Sequence, residues 1–365
     1  MQTIDCTGIL YNHCIALHKK YYKLYGKYLD KNKLQKHIKK LRNSNIERFK
    51  YLKVIPSQSV QDITERIDKA YKLFFKLHKK KIKCSPPSFK KVKKYKSFTL
   101  KQAGYKFLEG NKIKIKKSIY KYSKSRETKG EVKTVTIKRD SLGDLWLCIS
   151  LVLEDSPEKD KFMTGKSAGF DFGLKTFLTS SDYKDIKSPL FFKRDTRRAK
   201  KLSRSLSKKK DGSRNKEKAR LKLARMHRKI TNKRKDFHFK LALALVRSYD
   251  YMFFEDLNIK WLQKQYGRKV SDLGFYQFMQ ILSFKAEEYL KTVHKINRFF
   301  PSTKQCYVCG YKNEGLTLKD RSWICPSCKT ELDRDRNASF NIYAEGASSA
   351  GLDTVRLSFR TASIA

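Results

Sequence analysis

Acidic residues are scarce in this chain. Asp and Glu number 35 against 85 Lys and Arg, leaving a formal net charge of +50 over 365 residues. Solubility needs far less. Such a surplus implies a polyanionic partner, because each neutralised phosphate releases counterions and that release dominates affinity. No run of about 18 apolar residues occurs, so no membrane-spanning helix is expected. The start, Met1-Gln-Thr-Ile-Asp5, has no basic stretch followed by an apolar segment and does not read as a secretory signal. Cysteine usage argues against a disulfide framework. Of eight, Cys6, Cys14, Cys84 and Cys148 are scattered singly, and the other four lie in paired CxxC spacing. A reducing, intracellular location fits, cytoplasmic and nucleoid-associated. The length allows two or three domains.

Residues 4–80 read as helical. In a helix starting near Ser57, Val60, Ile63, Ile67, Ala70 and Phe74 recur at 3–4 spacing and form one apolar stripe. Ser59 with Asp62 resembles a capping box. Gln58 and Gln61 fall near the helix start and off the stripe. They suit adenine contacts in a DNA groove, or are two solvated amides. From Cys84 to Glu154 short alternating segments follow, at Lys112–Lys117, Val132–Lys138 and Trp146–Leu153. Turn signals at Gly110-Asn111 and Gly143-Asp144 separate them, so a small antiparallel, barrel-like β domain with outward lysines is expected.

Residues 193–240 hold 22 Lys or Arg against 4 acids, with Asp211-Gly212-Ser213 breaking two helices apart. Ala219, Leu223, Met226, Ile230, Phe237 and Leu241 make an apolar seam in the second. One face so uniformly positive repels itself unless phosphates lie along it. Lys208, Lys209, Lys210, Arg214, Arg228, Lys233 and Arg234 are the candidate contacts. His227 and His238 read as phosphate or surface contacts. From Glu345 onward no period is sustained, and a disordered tail is expected.

Three carboxylates stand out. Asp171 lies in Ala168-Gly-Phe-Asp-Phe-Gly-Leu174, where strand alternation puts Ala168, Phe170 and Phe172 on one side and Gly169, Asp171 and Gly173 on the other. The glycines read as clearing room for ions and a phosphate. Glu255 ends the apolar run Tyr251-Met-Phe-Phe254, a buried strand of a mostly parallel sheet. Asp335 shares a helix face with Ala338, Ser339 and Ile342. Each has a plainer alternative: Asp171 as a turn cap, Asp256 in place of Glu255, Asp333 or Asp335 as a helix cap. Together they match two-metal phosphodiester chemistry, in which divalent ions about 4 Å apart activate water and stabilise the leaving oxygen. Mg2+ suits such hard oxygen ligands. Cys306, Cys309, Cys325 and Cys328 form two knuckles fifteen residues apart, a closed four-thiolate site for structural Zn2+.

Gly169-Phe-Asp-Phe-Gly-Leu174, Phe254-Glu-Asp-Leu-Asn258, Arg298-Phe-Phe-Pro-Ser-Thr-Lys-Gln-Cys306, the cysteine pairs and Asp333-Arg-Asp-Arg-Asn-Ala-Ser-Phe-Asn-Ile342 resemble the TnpB proteins. These are transposon-encoded, OrfB-type proteins related to type V CRISPR effectors. The resemblance implies a multidomain α+β chain whose RuvC-like, RNase H-type core carries Asp171, Glu255 and Asp335 as catalytic acids. It implies a helical recognition domain (1–80), a β-barrel wedge domain (81–165) and a first nuclease part (166–300) with basic helices at 193–247. A zinc ribbon (301–331), a final nuclease helix (332–346) and the tail (347–365) follow. The implied activity is RNA-guided cleavage of double-stranded DNA beside a short target-adjacent motif, with guide RNA, target DNA and a partner transposase as partners. Members usually begin with a further strand before the segment resembling Ile4–Tyr11. The wedge is therefore expected to be a strand short, with consequences for guide binding. The alternatives are a transposition accessory or regulatory DNA-binding protein without cleavage, and an unguided RuvC-type nuclease.

Overall fold

The structure, a computed structural model, describes residues 2–352 except 126, 128, 129, 153–162, 190, 318 and 319. Expectations for 353–365 lie outside the described residues. The chain divides into two compact units, Met1–Ser156 and Pro157–Ala365. No helix of the described residues is long and apolar enough to cross a membrane.

The first unit opens with helices α1 (Gln2–Tyr25), α2 (Lys31–Asn43), α3 (Tyr51–Val54) and α4 (Ser57–Lys79). Strands β1 (Ser97–Leu100), β2 (Tyr105–Leu108), β3 (Lys112–Ile115), β4 (Ser118–Lys121), β5 (Glu131–Arg139) and β6 (Leu145–Val152) follow. They form two antiparallel three-stranded sheets, ordered β1-β5-β6 and β2-β3-β4. The β2–β3 turn needs positive φ at both central residues, and Gly110 (69°) with Asn111 (55°) supply it. In β3 the lysines are exposed, whereas Ile113 is buried. Helices and strands share one core, from Ile4 and Ile63 to Leu100 and Val135.

The α4 stripe differs from expectation in detail. Ile67 is followed by Tyr71 at i+4, and Ala70 is exposed. Ser59 makes no capping box, because it already lies inside the helix and donates its hydroxyl to Thr99 O at 2.9 Å. Asp62 pairs with Arg66 at 2.7 Å.

The second unit is built on β7 (Ser167–Phe172), β8 (Thr176–Ser180) and β9 (Ile186–Lys187). Then come the basic helices α5 (Phe191–Ser207) and α6 (Arg214–Ser248), and strand β10 (Tyr251–Glu255). Helices α7 (Ile259–Tyr266), α8 (Arg268–Leu273) and α9 (Phe275–Glu288) lead to β11 (Thr292–Ile296). The hairpin β12 (Ser322–Ile324) and β13 (Glu331–Asp333) runs directly into α10 (Arg334–Ser349). The sheet order is β11-β10-β7-β8-β9. β10 is parallel to both β7 and β11, while β8 and β9 continue antiparallel. That mixed order fits the RNase H-type core broadly.

The sheet has two covered faces. On one, Phe170 stacks on Phe254 (5.1 Å between centroids) among residues of α6 and α9, including Ala242, Val246, Phe278 and Leu282. On the other, Phe253 packs with Ile342 and Ala347 of α10. This helix runs on to Ser349, past the tail boundary expected at 346. Its Gly346 sits flat on Phe253, where a Cβ would overlap the ring.

Candidate metal centres and acid site

Strand alternation decides where the acids point. In β7, Gly169 lies against α10, so Asp171, two residues on, projects from the same face. In β10, Phe253 also meets α10, so Glu255 shares that face. The register pairs Phe170 with Phe254, which sets Asp171 and Glu255 one step further along neighbouring strands. Asp335 enters from the first turn of α10. The three acids thus converge from two strands and a helix.

Electrostatics report the same closeness. Asp171 is 8 % exposed. Burial, then the negative charges of Glu255 and Asp335, push its carboxyl pKa well above the usual range, against a smaller lowering by Arg334. Burial, then Asp256, raises Glu255. Asp171 is buried and Glu255 and Asp335 are half-buried, and carboxylate oxygens of this kind are the hard donors that suit Mg2+. Arg334, which sequence reasoning passed over, supplies part of the charge. It donates to Asp335 Oδ1 from Nε (3.2 Å) and Nη2 (3.0 Å), and to Asp320 O from Nη1 (3.1 Å). Arg321 reaches Asp335 Oδ2 at 3.3 Å.

Two of the plainer alternatives have structural places of their own. Asp333 is the α10 cap, accepting from Arg336 N at 2.8 Å. Asp256 is held by Arg298 and by Lys295 (3.3 Å). Burial acts to raise its pKa, but those cations outweigh it and hold the carboxyl below its ordinary value. Glu255, unlike Asp256, shares the α10-facing side with Asp171. The glycines serve another purpose than expected. A Cβ on Gly169 would collide with the backbone of Ser339 and Tyr343, and one on Gly173 with Thr176 O. Gly169 admits the helix, and Gly173 the tight turn into β8.

Asn337 and Asn341, at i and i+4 on α10, were also missed. Their amides donate to Gln305 O at 2.7 and 2.6 Å, and Tyr307 N donates to Asn337 Oδ1 at 3.0 Å. The i, i+4 amide spacing was the signal available. These bonds fasten the first cysteine knuckle to the helix that carries Asp335.

The sulfurs of Cys306, Cys309, Cys325 and Cys328 all lie within 4.8 Å of one another. Cys306–Cys328 is 3.7 Å and Cys309–Cys325 is 3.6 Å. A tetrahedron with metal–sulfur bonds of about 2.3 Å has edges of roughly 3.8 Å, so four thiolates at these separations fit Zn2+. The knuckles share a backbone form. Gly310 N donates to Cys306 O and Lys329 N to Cys325 O, both at 2.9 Å. The residue after each second cysteine has positive φ, 80° at Gly310 and 59° at Lys329.

The candidate nucleic-acid contacts divide. Lys208, Lys209, Lys210, Arg214, Lys233 and Gln61 are exposed; Gln58 and Arg228 are half-buried. Lys233 has Asp195 at 3.9 Å. Arg234 is half-buried and partly engaged: its Nη1 donates to Ser271 O (3.0 Å) and Asp272 O (3.2 Å) at the end of α8. His238 is a correction. It is fully buried, its Nε2 lies 2.9 Å from Leu273 O, and burial drives its pKa down to about 4.

Comparison with known proteins follows the same lines. The OrfB_IS605 family profile, described as "Probable transposase", matches residues 150–265, and the Cas12f1-like TNB domain profile matches 275–342. A Streptomyces pristinaespiralis protein named "Putative RNA-guided DNA endonuclease" is 31% identical over 362 residues, spanning 97% of this chain and 87% of its own. The chain belongs to the TnpB family. Among other TnpB relatives, the mimivirus "TnpB-like protein L79" is 31% identical over 231 residues, spanning 59% of this chain and 43% of its own. The Escherichia coli (strain K12) protein named "Putative RNA-guided DNA endonuclease InsQ" is 25% identical, spanning 92% and 86%. In fold, the TnpB chain resembles a protein solved in a "Cas12f1-sgRNA-target DNA complex". The TM-score is 0.57 at 16% identity, over 94% of this chain and 81% of that one.

Proposed function

We propose that the chain is an RNA-guided DNA endonuclease of a transposable element, cutting double-stranded DNA beside a short target-adjacent motif. The convergence of Asp171, Glu255 and Asp335 on one face of an RNase H-type sheet, in a chain of net charge +50, carries this reading. Those three residues would hold Mg2+. Bound there, the ions would supply an activated water and stabilise the leaving oxygen. The chain's own part is placement. β7 and β10 fix two acids, α10 delivers the third, and Arg334 holds Asp335 by one oxygen. Because burial and the neighbouring acids raise the Asp171 pKa, loss of its proton and cation binding would favour each other.

Within this reading, residues 1–80 form the recognition domain, with Gln58 and Gln61 at the start of α4 facing the adjacent duplex. Residues 81–165 form the wedge that grips guide RNA, and the exposed lysines of α5 and α6 contact phosphates. Cys306, Cys309, Cys325 and Cys328 hold structural Zn2+, and base pairing reads the target.

The test is to purify the protein from its native locus, sequence the RNA that accompanies it, and offer a plasmid matching that RNA. One abundant RNA with a fixed scaffold and Mg2+-dependent cutting, abolished in Asp335→Ala, is expected. Bound RNA without cutting would sink the endonuclease reading. Cutting that ignores the RNA would leave an unguided nuclease.

A further inference from the structure

Phe299 stands out of the protein with 88% of its surface exposed. Leaving so large an apolar ring in water forgoes the free energy that burial would supply. Its neighbour Phe300 turns inward and packs with Ile296 and Ile342. The exposure is built in. Phe299 N donates to Asn297 Oδ1 at 2.9 Å, Phe300 N to Asn297 O at 3.1 Å, and Ser302 N to Phe300 O at 2.9 Å. An ordered turn therefore presents the ring.

The surroundings say what the ring meets. Phe299 edges an open depression of about 530 Å3 lined by Asp256, Lys295, Ile296, Asn297 and Arg298. Asp256 pairs with both Lys295 and Arg298, so the two cations are held in place with positive charge in excess. Ile296 pairs opposite Glu255, which puts the turn just past the strand end that carries that acid. A lone ring among charged neighbours is too small an apolar area for a stable protein interface, which buries about 800 Å2 per partner. A flat π face flanked by fixed cations instead matches a nucleotide, with base on the ring and phosphates on Lys295 and Arg298.

We propose that Phe299 is a stacking platform for single-stranded DNA led past the acid site. The proposal rests on the nuclease reading above. Stacking is indifferent to base identity, so the platform grips a displaced strand without reading its sequence.

The experiment uses the full-length Asp171→Asn protein, which cannot cut, and a short single-stranded DNA carrying 2-aminopurine. Binding should quench the probe through stacking. Phe299→Ala should lose the quench and weaken binding about tenfold, while Phe299→Trp keeps both. The melting profile of Phe299→Ala should match its parent, since the ring touches solvent. Unchanged quench and affinity in Phe299→Ala would overturn the proposal. Dependence on Phe299 for an RNA probe but not for DNA would overturn the choice of strand. Failure of the parent itself to bind would overturn the nucleic-acid reading beneath it.

Discussion

If Asp171 holds metal as proposed, its function and the stability of the fold conflict. Its folded pKa is raised, so the fold favours the protonated carboxyl. That contribution is fully present below the unfolded pKa of about 3.9 and is lost as pH rises through the raised folded value. At neutral pH, without divalent cation, Asp171→Asn should therefore stabilise the protein, on the order of 1 kcal/mol, and raise its Tm, while ending cleavage. A lower melting temperature in metal-free buffer would contradict this. Asp250 shows the opposite sign. Burial acts to raise its pKa, but Lys291 at 2.5 Å and the amides of Thr164 and Gly165 hold the carboxyl below its ordinary value. Its contribution is present above about pH 4 and is lost as pH falls through the lower folded value. Removing one partner of a buried pair is costly, so Lys291→Met should lose about 3–5 kcal/mol in urea unfolding. Arg334→Gln should raise the Mg2+ needed for half-maximal cutting by about tenfold or more, because partners of metal-holding carboxylates tune affinity. Asp171 and Glu255 were legible because strand alternation is local. Asp250 and Lys291 were not, since a lone acid and one lysine among so many cations carry no pattern before the chain folds.

Among the elements, α10 shows why partial legibility occurs. Its start at Asp333 and its apolar face were readable from capping chemistry and helical period. What Gly169 is for was not readable, because the helix that needs it lies some 170 residues on. Gly169→Ala should push α10 off β7 and reduce cutting by at least tenfold with bound RNA unaffected; normal cutting would contradict the close approach. His238 was misread for a similar reason. Its cationic neighbours masked the face it shares with Ala242 and Leu245, which only α8 and α9 complete. In the cysteine segment the ligand spacing is local and was plain. Lys329 pays for its left-handed backbone where Gly310 does not, so Lys329→Gly should stabilise the metal-loaded protein against unfolding slightly, by roughly 0.5–1 kcal/mol. A drop would show that the Lys329 side chain matters more than its backbone.

Across the whole molecule, charge was the most legible property and its direction the least. Composition announced a polyanionic partner, yet only the structure separates exposed Lys208–Lys210 from half-buried Arg234, whose Nη1 is held by the α8 carbonyls. Nucleic-acid affinity should fall on the order of 10³-fold or more between about 50 and 200 mM salt if several phosphates are met. A flat response would turn the basic helices back to solvent.

The placement of the third acid on α10 also sets a clock. Asp335 is made 164 residues after Asp171 (335 − 171), and Gly169 and Phe253 wait for the same helix. At about 5–20 residues per second of synthesis, a nascent chain has its first acid for roughly 8–30 s before its last. On the proposed reading, the chain can fold its first unit and engage RNA during that interval while its acid site is still incomplete. On the same reading the acid site closes only once the cysteine segment has emerged, so a prematurely terminated copy lacking α10 should not cut DNA.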